Sequence, residues 1–227
     1  VRQAAPGSRV MAIIKANAYG HGLQDVARSL ADADAFGVAM LEEAIALREA
    51  GFDRRIVLLE GAFDAGELML ISGYRVDVVV HHCSQLEMLE QAQLARPLDV
   101  WLKLDTGMHR LGFPPAAVTD VMQRLKHVGQ VGSIFFMSHF ACADEQDHPS
   151  ARDQLQRFHE ATDDLAGERS LANSAGILGW PEARFDWVRP GIMLYGSSPL
   201  SGATAQQLDL HPVMTLETRL IAVNEHR

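Results

Sequence analysis

"VMAIIKANAYGHGLQDVARSLADADAFGVAM", residues 10–40, carries three patterns in a row. Val10–Ile14 is a short apolar run rich in β-branched residues, Asp25–Ala33 spaces its apolar residues at helical intervals, and Ala35–Met40 is a second apolar run. Strands that are apolar throughout, joined by a helix, indicate a parallel pair buried on both faces with the helix as crossover. Working outward, strand-like runs recur at Arg55–Glu60, Val76–His81, Leu98–Leu104, Ser133–Phe140, Arg169–Asn173 and Asp186–Leu194. Helical patterns fall between them at Glu42–Ala50, Ser84–Ala95, Ala116–His127 and Ala151–Ala166. Eight such units in about 200 residues predict a closed eight-stranded parallel (β/α)8 barrel rather than an open doubly wound sheet. No short internal repeat or low-complexity segment interrupts the pattern.

The chain has 227 residues, 48% hydrophobic and 22% charged, enough for one sizeable core. A formal net charge of −9 argues against a general nucleic-acid surface, which needs clustered Lys and Arg. No run has the length of a membrane span, and VRQAAPGSR at the start lacks the apolar core of a signal peptide. Cys83 and Cys142 show no framework spacing, which suits a reduced, cytoplasmic setting. His81 and His82 have no third ligand at metal spacing, so no metal site is expected.

In such barrels chemistry sits where strands end and βα loops begin. Lys15, Arg110, His139, Ser174 and Arg189 all fall at such ends. Partial desolvation at the mouth favours a neutral Lys15 amine able to attack an aldehyde; a lysine snorkelling to solvent would look the same in sequence. In "WVRPGIMLYG" (187–196), Pro190 breaks the ladder and leaves the Gly191 and Ile192 N–H groups for an anion. "NSAG" (173–176) adds a hydroxyl beside a glycine. In "WLKLDTGMHRLGF" (101–113), Lys103 needs a counter-charge or chemical neutralisation if it points inward. Arg110 suits a carboxylate clamp, with an ion pair to Asp105 as the alternative. A strand-end His139 fits a structural role as readily as a catalytic one.

Taken together, "KANAYGHG" (15–22), "KLDTGMHRLG" (103–112), "SHFA" (138–141), "NSAG" and "RPGIMLYG" (189–196) closely resemble bacterial alanine racemase, from about Val10 to Val223. That family is a pyridoxal 5'-phosphate enzyme with a barrel and a C-terminal β domain, active as a homodimer, and it supplies D-alanine for peptidoglycan. The resemblance implies that Lys15 carries the cofactor covalently and acts as the base on one face of the substrate. It implies that Tyr19, Ser174 and the Gly191 and Ile192 N–H groups hold the phosphate. Arg189 would meet the pyridine nitrogen, Arg110 the substrate carboxylate, and Lys103 matches a lysine that is carbamylated in many members. His139 would support Arg189. Because a guanidinium keeps its proton, it leaves the ring nitrogen unprotonated and favours proton return at the substrate carbon over transamination.

The family's second base is a tyrosine of the C-terminal domain, and none of Tyr19, Tyr74 and Tyr195 matches it. The family's first strand and most of its first helix also have no counterpart before Val1. The expected organisation is therefore a cofactor-binding barrel over 1–212 and the start of a β domain over 213–227, with "VMTLETRLIAV" (213–223) as one long strand. Binding of the cofactor with impaired racemisation follows for this chain alone. Two other readings use the same barrel: a single-domain pyridoxal-phosphate homeostasis protein without racemase activity, and a racemase of another small amino acid such as serine. Arg110, Lys103 and the segment 213–223 weigh against the first.

Overall fold

The computed structural model describes residues 1–225 and shows eight parallel strands hydrogen-bonded in sequence order and closed by β8 against β1. In chain order the elements are β1 (Arg9–Ile13), α1 (Lys15–Tyr19), α2 (Leu23–Ser29), β2 (Ala35–Val38), α3 (Leu41–Glu49), β3 (Arg55–Leu58) and α4 (Ala65–Gly73). There follow β4 (Asp77–Val80), α5 (Cys83–Gln91), β5 (Leu98–Lys103), α6 (Val118–His127), β6 (Val131–Met137), α7 (Pro149–Thr162), β7 (Arg169–Asn173), α8 (Ser174–Gly179) and β8 (Trp187–Arg189). The expected barrel is the observed one.

Side chains alternate between the two faces of each strand, and this sorts the interior into layers. Met11, Ile13, Ala35, Val57, Val79, Trp101, Phe135, Met137 and Trp187 form one apolar cluster inside the ring. Their neighbours in sequence, such as Ala12, Phe36, Ile56, Val78, Val100 and Leu102, pack outward against the helices. Trp101 fills the axis, stacked on Phe135 at 4.5 Å and edge-on to Trp187 at 5.7 Å.

Two residues below that plug lie charges. Arg55 donates to Asp77 at 2.6 Å and to Asp99 at 3.0 Å, and the Trp101 indole N–H donates to Asp77 at 2.9 Å. Arg9 pairs with Glu168 and lies over the Trp187 ring at 4.3 Å. The charges at this end are paired with one another, the arrangement expected of a barrel's structural face.

Several expected boundaries shift. The eighth strand stops at Arg189 instead of running to Leu194, because Pro190 has no N–H to continue the ladder and Ile192–Tyr195 coils into a 3-10 turn. Strand β6 spans Val131–Met137, not Ser133–Phe140. Helices α4 and α8 were not expected; Asp64 and Asn173 cap them, accepting from the Glu67 and Gly176 N–H groups at 2.9 Å each. Residues 213–223 form no strand: Leu216, Leu220 and Ile221 are 98%, 85% and 103% exposed. Every barrel strand is already paired on both sides, so no edge remains for that segment to join.

Burial holds the Asp77 carboxyl up at about 6, against the pull of Arg55 and the Trp101 N–H. A folded value above the ordinary 3.8 means that its stabilising contribution is full below that value and is lost as pH rises through about 6. Urea midpoints of this chain should therefore fall more steeply between about pH 4 and about pH 6 than those of Asp77→Asn, which does not titrate there. Parallel curves for the two proteins, read by tryptophan fluorescence, would show that this carboxyl is not the buried titrating group.

Candidate active site at the barrel mouth

The inward positions that continue past the apolar layer are polar. Two residues beyond Ile13, Trp101, Met137 and Trp187 stand Lys15, Lys103, His139 and Arg189. All four line one cavity of about 370 Å³ at the C-terminal end of the strands, with Arg110, Tyr19, Ser174, Gly191 and Ile192. Every residue singled out in the sequence thus converges on one space.

Lys15 opens a turn rather than an ordinary helix. Ala16, Asn17, Ala18 and Tyr19 are all left-handed, with φ of 53°, 53°, 54° and 53°. Each non-glycine residue in that region costs on the order of 1–2 kcal/mol, so the turn persists only because it is held from outside. The Gly20 N–H bonds the Ala16 and Asn17 carbonyls at 3.0 and 3.1 Å, and the Asn17 side chain accepts from the Leu23 N–H at 2.9 Å. Sequence periodicity carried no sign of this conformation.

The turn delivers Tyr19 to the opposite wall. A Cβ on Gly191 would lie 2.8 Å from the Tyr19 hydroxyl, so a larger residue there would displace that hydroxyl from the cradle. Tyr19 stacks on Tyr195 at 4.8 Å, and the Tyr195 hydroxyl donates to the Ile13 carbonyl at 3.0 Å. Burial raises the pKa of both phenols, so each keeps its proton and serves as a donor. The Gly191 N–H was expected to be free but is not: it donates to the Ser174 hydroxyl at 2.8 Å, and the Met193 N–H approaches the same oxygen at 3.4 Å. A buried backbone donor rarely stays unpaired, and here the "NSAG" hydroxyl takes it. Ile192 begins its 3-10 turn, where a first N–H has no partner within the turn.

The remaining groups are cationic apart from His139. Arg189 is buried and donates to the Ser138 carbonyl, to the Ser170 hydroxyl and, at 3.4 Å, to the His139 ring. Burial lowers its pKa to about 9, which leaves it charged at neutral pH. Burial, then Arg189, Lys103, Arg110 and Lys15, hold His139 well below the usual imidazole range. The neutral ring accepts at Nδ1, which assigns its proton to Nε2. Lys103 points inward, and burial lowers it to about 8, with Arg189 adding to that and Glu60 opposing it. Arg110 is not paired with Asp105. That carboxylate instead accepts from the Gly107 and His109 N–H groups at 3.0 and 2.9 Å, leaving Arg110 to line the cavity.

Sequence reasoning missed the residues that fix these loops. Gln154 of α7 is fully buried and donates to the His139 carbonyl at 2.9 Å while accepting from the Ala141 N–H at 2.8 Å. Its neighbour Arg157 donates to the Thr106 carbonyl at 3.0 Å. A polar side chain on the buried face of an otherwise amphipathic helix was the available signal. Glu60, the carboxylate nearest in effect to Lys103, was also missed.

The chain matches the model of the alanine racemase N-terminal domain over residues 1–199. It is 52% identical over its whole length to alanine racemases of Shewanella sediminis and Shewanella baltica, and spans 64% of the length of each. The biosynthetic alanine racemase of Pseudomonas aeruginosa superposes with a TM-score of 0.90 at 49% identity, over 93% of this chain and 59% of that one. That of Acinetobacter baumannii gives 0.87 at 42% identity, over 93% and 60%. With the sequence matched along its length and the barrel superposed, the chain belongs to the alanine racemase family.

Proposed function

We propose that this chain is the cofactor-carrying barrel of a pyridoxal-phosphate enzyme that interconverts L- and D-alanine. One observation carries the reading: an inward lysine, Lys15, shares its cavity with a donor cradle that a Cβ on Gly191 would fill. The Tyr19 and Ser174 hydroxyls and the Ile192 N–H suit a phosphate, with the Gly191 N–H engaged by the Ser174 oxygen, and Lys15 suits the aldehyde carbon of the same molecule. When bound, that cofactor withdraws electrons from the substrate Cα and so acidifies its proton.

The protein's own groups do the rest. Arg110 receives the substrate carboxylate in a two-pronged grip. Lys15 Nζ takes or returns the Cα proton on one face. Arg189 stays a cation and supplies donors, not an exchangeable proton, so the proton returns to Cα. Neutral His139 accepts from Arg189 and holds its fork in plane. Lys103, lowered to about 8, has a readily reached neutral amine that adds to carbon dioxide, giving a carbamate and one proton. That change turns a buried cation into an anion facing Arg110. The whole protein is read as a cytoplasmic homodimer feeding peptidoglycan synthesis; among the described residues no helix is long and apolar enough to cross a membrane.

The second base is the weak point of the chain taken alone. Tyr195 is engaged with the Ile13 carbonyl, Tyr19 stands at the cradle, and Tyr74 sits at the end of α4. With one of two acid–base groups lacking, racemisation by these 227 residues is expected to run on the order of 10²–10⁴ below that of the family's two-base enzymes.

The test begins with colour. Mixing the chain with pyridoxal phosphate should produce a visible absorbance band, and borohydride should then fix the cofactor's mass on Lys15. In Lys15→Ala both signals should vanish, and a colourless unaltered chain would overturn the reading. For Lys103→Ala in a whole family enzyme carrying this barrel, the KM for alanine should rise and recover in part with added chloride or acetate; unchanged Michaelis behaviour would remove the anion role.

A further inference from the structure

The left-handed turn after Lys15 has an anchor outside itself. Glu43 lies in the first turn of α3, beyond β2, and both of its oxygens bind backbone N–H groups. Oε1 accepts from the Asn17 N–H at 2.9 Å, and Oε2 accepts from the Ala39 and Met40 N–H groups at 3.0 and 3.3 Å. The second pair of bonds is ordinary capping at a helix start. The first is not, because it reaches 26 residues back along the chain into the middle of the strained turn.

We infer that Glu43 is a positioning residue: its carboxylate, fixed to the start of α3 by one oxygen, holds the Asn17 N–H with the other and so sets where Tyr19 meets Gly191. This rests on the proposal that the cavity takes pyridoxal phosphate. Four left-handed residues in succession favour relaxation toward the ordinary helical region, and relaxation anywhere among them moves Tyr19. Asn17 is restrained from both sides, since its N–H meets Glu43 and its side-chain oxygen meets the Leu23 N–H. Lys15 precedes the left-handed residues and follows directly from the wall of β1, so it depends on Glu43 less. The two ends of one ligand therefore depend on Glu43 unequally: the phosphate end through Tyr19, the aldehyde end hardly at all.

Pyridoxal phosphate and pyridoxal, which lacks the phosphate, separate these ends. Dissociation constants for both are measured by absorbance on the unaltered chain, Glu43→Ala and Glu43→Gln. Glu43→Ala should weaken pyridoxal phosphate about tenfold, in line with loss of a charge-assisted hydrogen bond, and pyridoxal by less than about twofold. Glu43→Gln keeps one acceptor oxygen but turns its amide donors toward an N–H on the other side; it should fall between, and it carries the same comparison if Glu43→Ala does not fold. Equal weakening of both ligands indicates general loosening and overturns the inference, as does an unchanged affinity for pyridoxal phosphate. Amide exchange without any ligand gives an independent readout: the Glu43 variants should lose protection over residues 16–23 but not in the body of α3. If the unaltered chain binds no pyridoxal phosphate, the cofactor proposal fails by itself, while unchanged exchange over 16–23 sinks the role of Glu43.

Discussion

Closure of the sheet is the constraint on which the mouth depends. In a ring of parallel strands an inward position comes only at every second residue, so the register of a strand fixes which of its side chains enter the interior. On β5 the sequence runs Asp99, Trp101, Lys103 on this face, and on β1 it runs Arg9, Met11, Ile13, with Lys15 two residues further on. A charged floor, an aromatic plug and a cationic rim follow from that count. The plug matters to the rim because Trp101 and Trp187 exclude water directly beneath Lys103 and Arg189. Burial is then the leading cause of the lowered pKa of each. Slipping either strand by one residue would point these groups at the helices instead.

The rim gathers more positive charge than it compensates. Lys15, Lys103, Arg110 and Arg189 line the cavity together, against Glu60 and Asp144, and Asp144 is already engaged by the Ser201 hydroxyl. Like charges near a low-dielectric floor repel more strongly than they would in water. An arrangement of this kind is relieved by anions. On the proposed reading, a phosphate at Tyr19 and Ser174, a carboxylate at Arg110 and a carbamate on Lys103 would be three such anions, each at a different point of the rim. Their affinities would then be coupled, since each one added would lower the repulsion that the next would offset. Neutral His139 fits the same logic, because a further cation beside Arg189 would raise that repulsion and forfeit the acceptor that Arg189 uses.

The apolar runs and their helical spacers were enough to read the barrel, because a strand buried on both faces leaves an unbroken signature such as Val76–Val80. The rim residues were legible for the same reason: a Lys, His or Arg ending such a run has few places to go. What escaped depended on contacts far apart in the chain. Gln154 and Glu43 look like ordinary polar positions on α7 and α3, and only the fold brings them to His139 and Asn17. The segment 213–223 shows the converse case. Its β-branched, alternating sequence has strand propensity, yet a strand forms only where a neighbour offers an edge, and a closed barrel offers none.

The left-handed turn joins these themes. Ala16–Tyr19 together hold strain on the order of 4–8 kcal/mol, which a loop made only to connect β1 to α2 would have no reason to keep. The sequence lessens the strain where it can: Asn17 is among the residues most tolerant of this conformation, and Gly20 and Gly22 carry the chain onward at φ of 85° and 93°. The rest is offset by bonds to Glu43, to Leu23 and within the turn itself. A loop restrained from so many sides has little freedom left to lose when a ligand arrives, so binding energy at the cradle is not consumed in ordering it. Lys15 and Tyr19 are four residues apart and are placed by separate anchors, β1 and the Glu43 bridge. A rigid strained turn between them holds the Lys15 amine and the Tyr19 hydroxyl in a set relation without a ligand, which a flexible loop of the same length would not do.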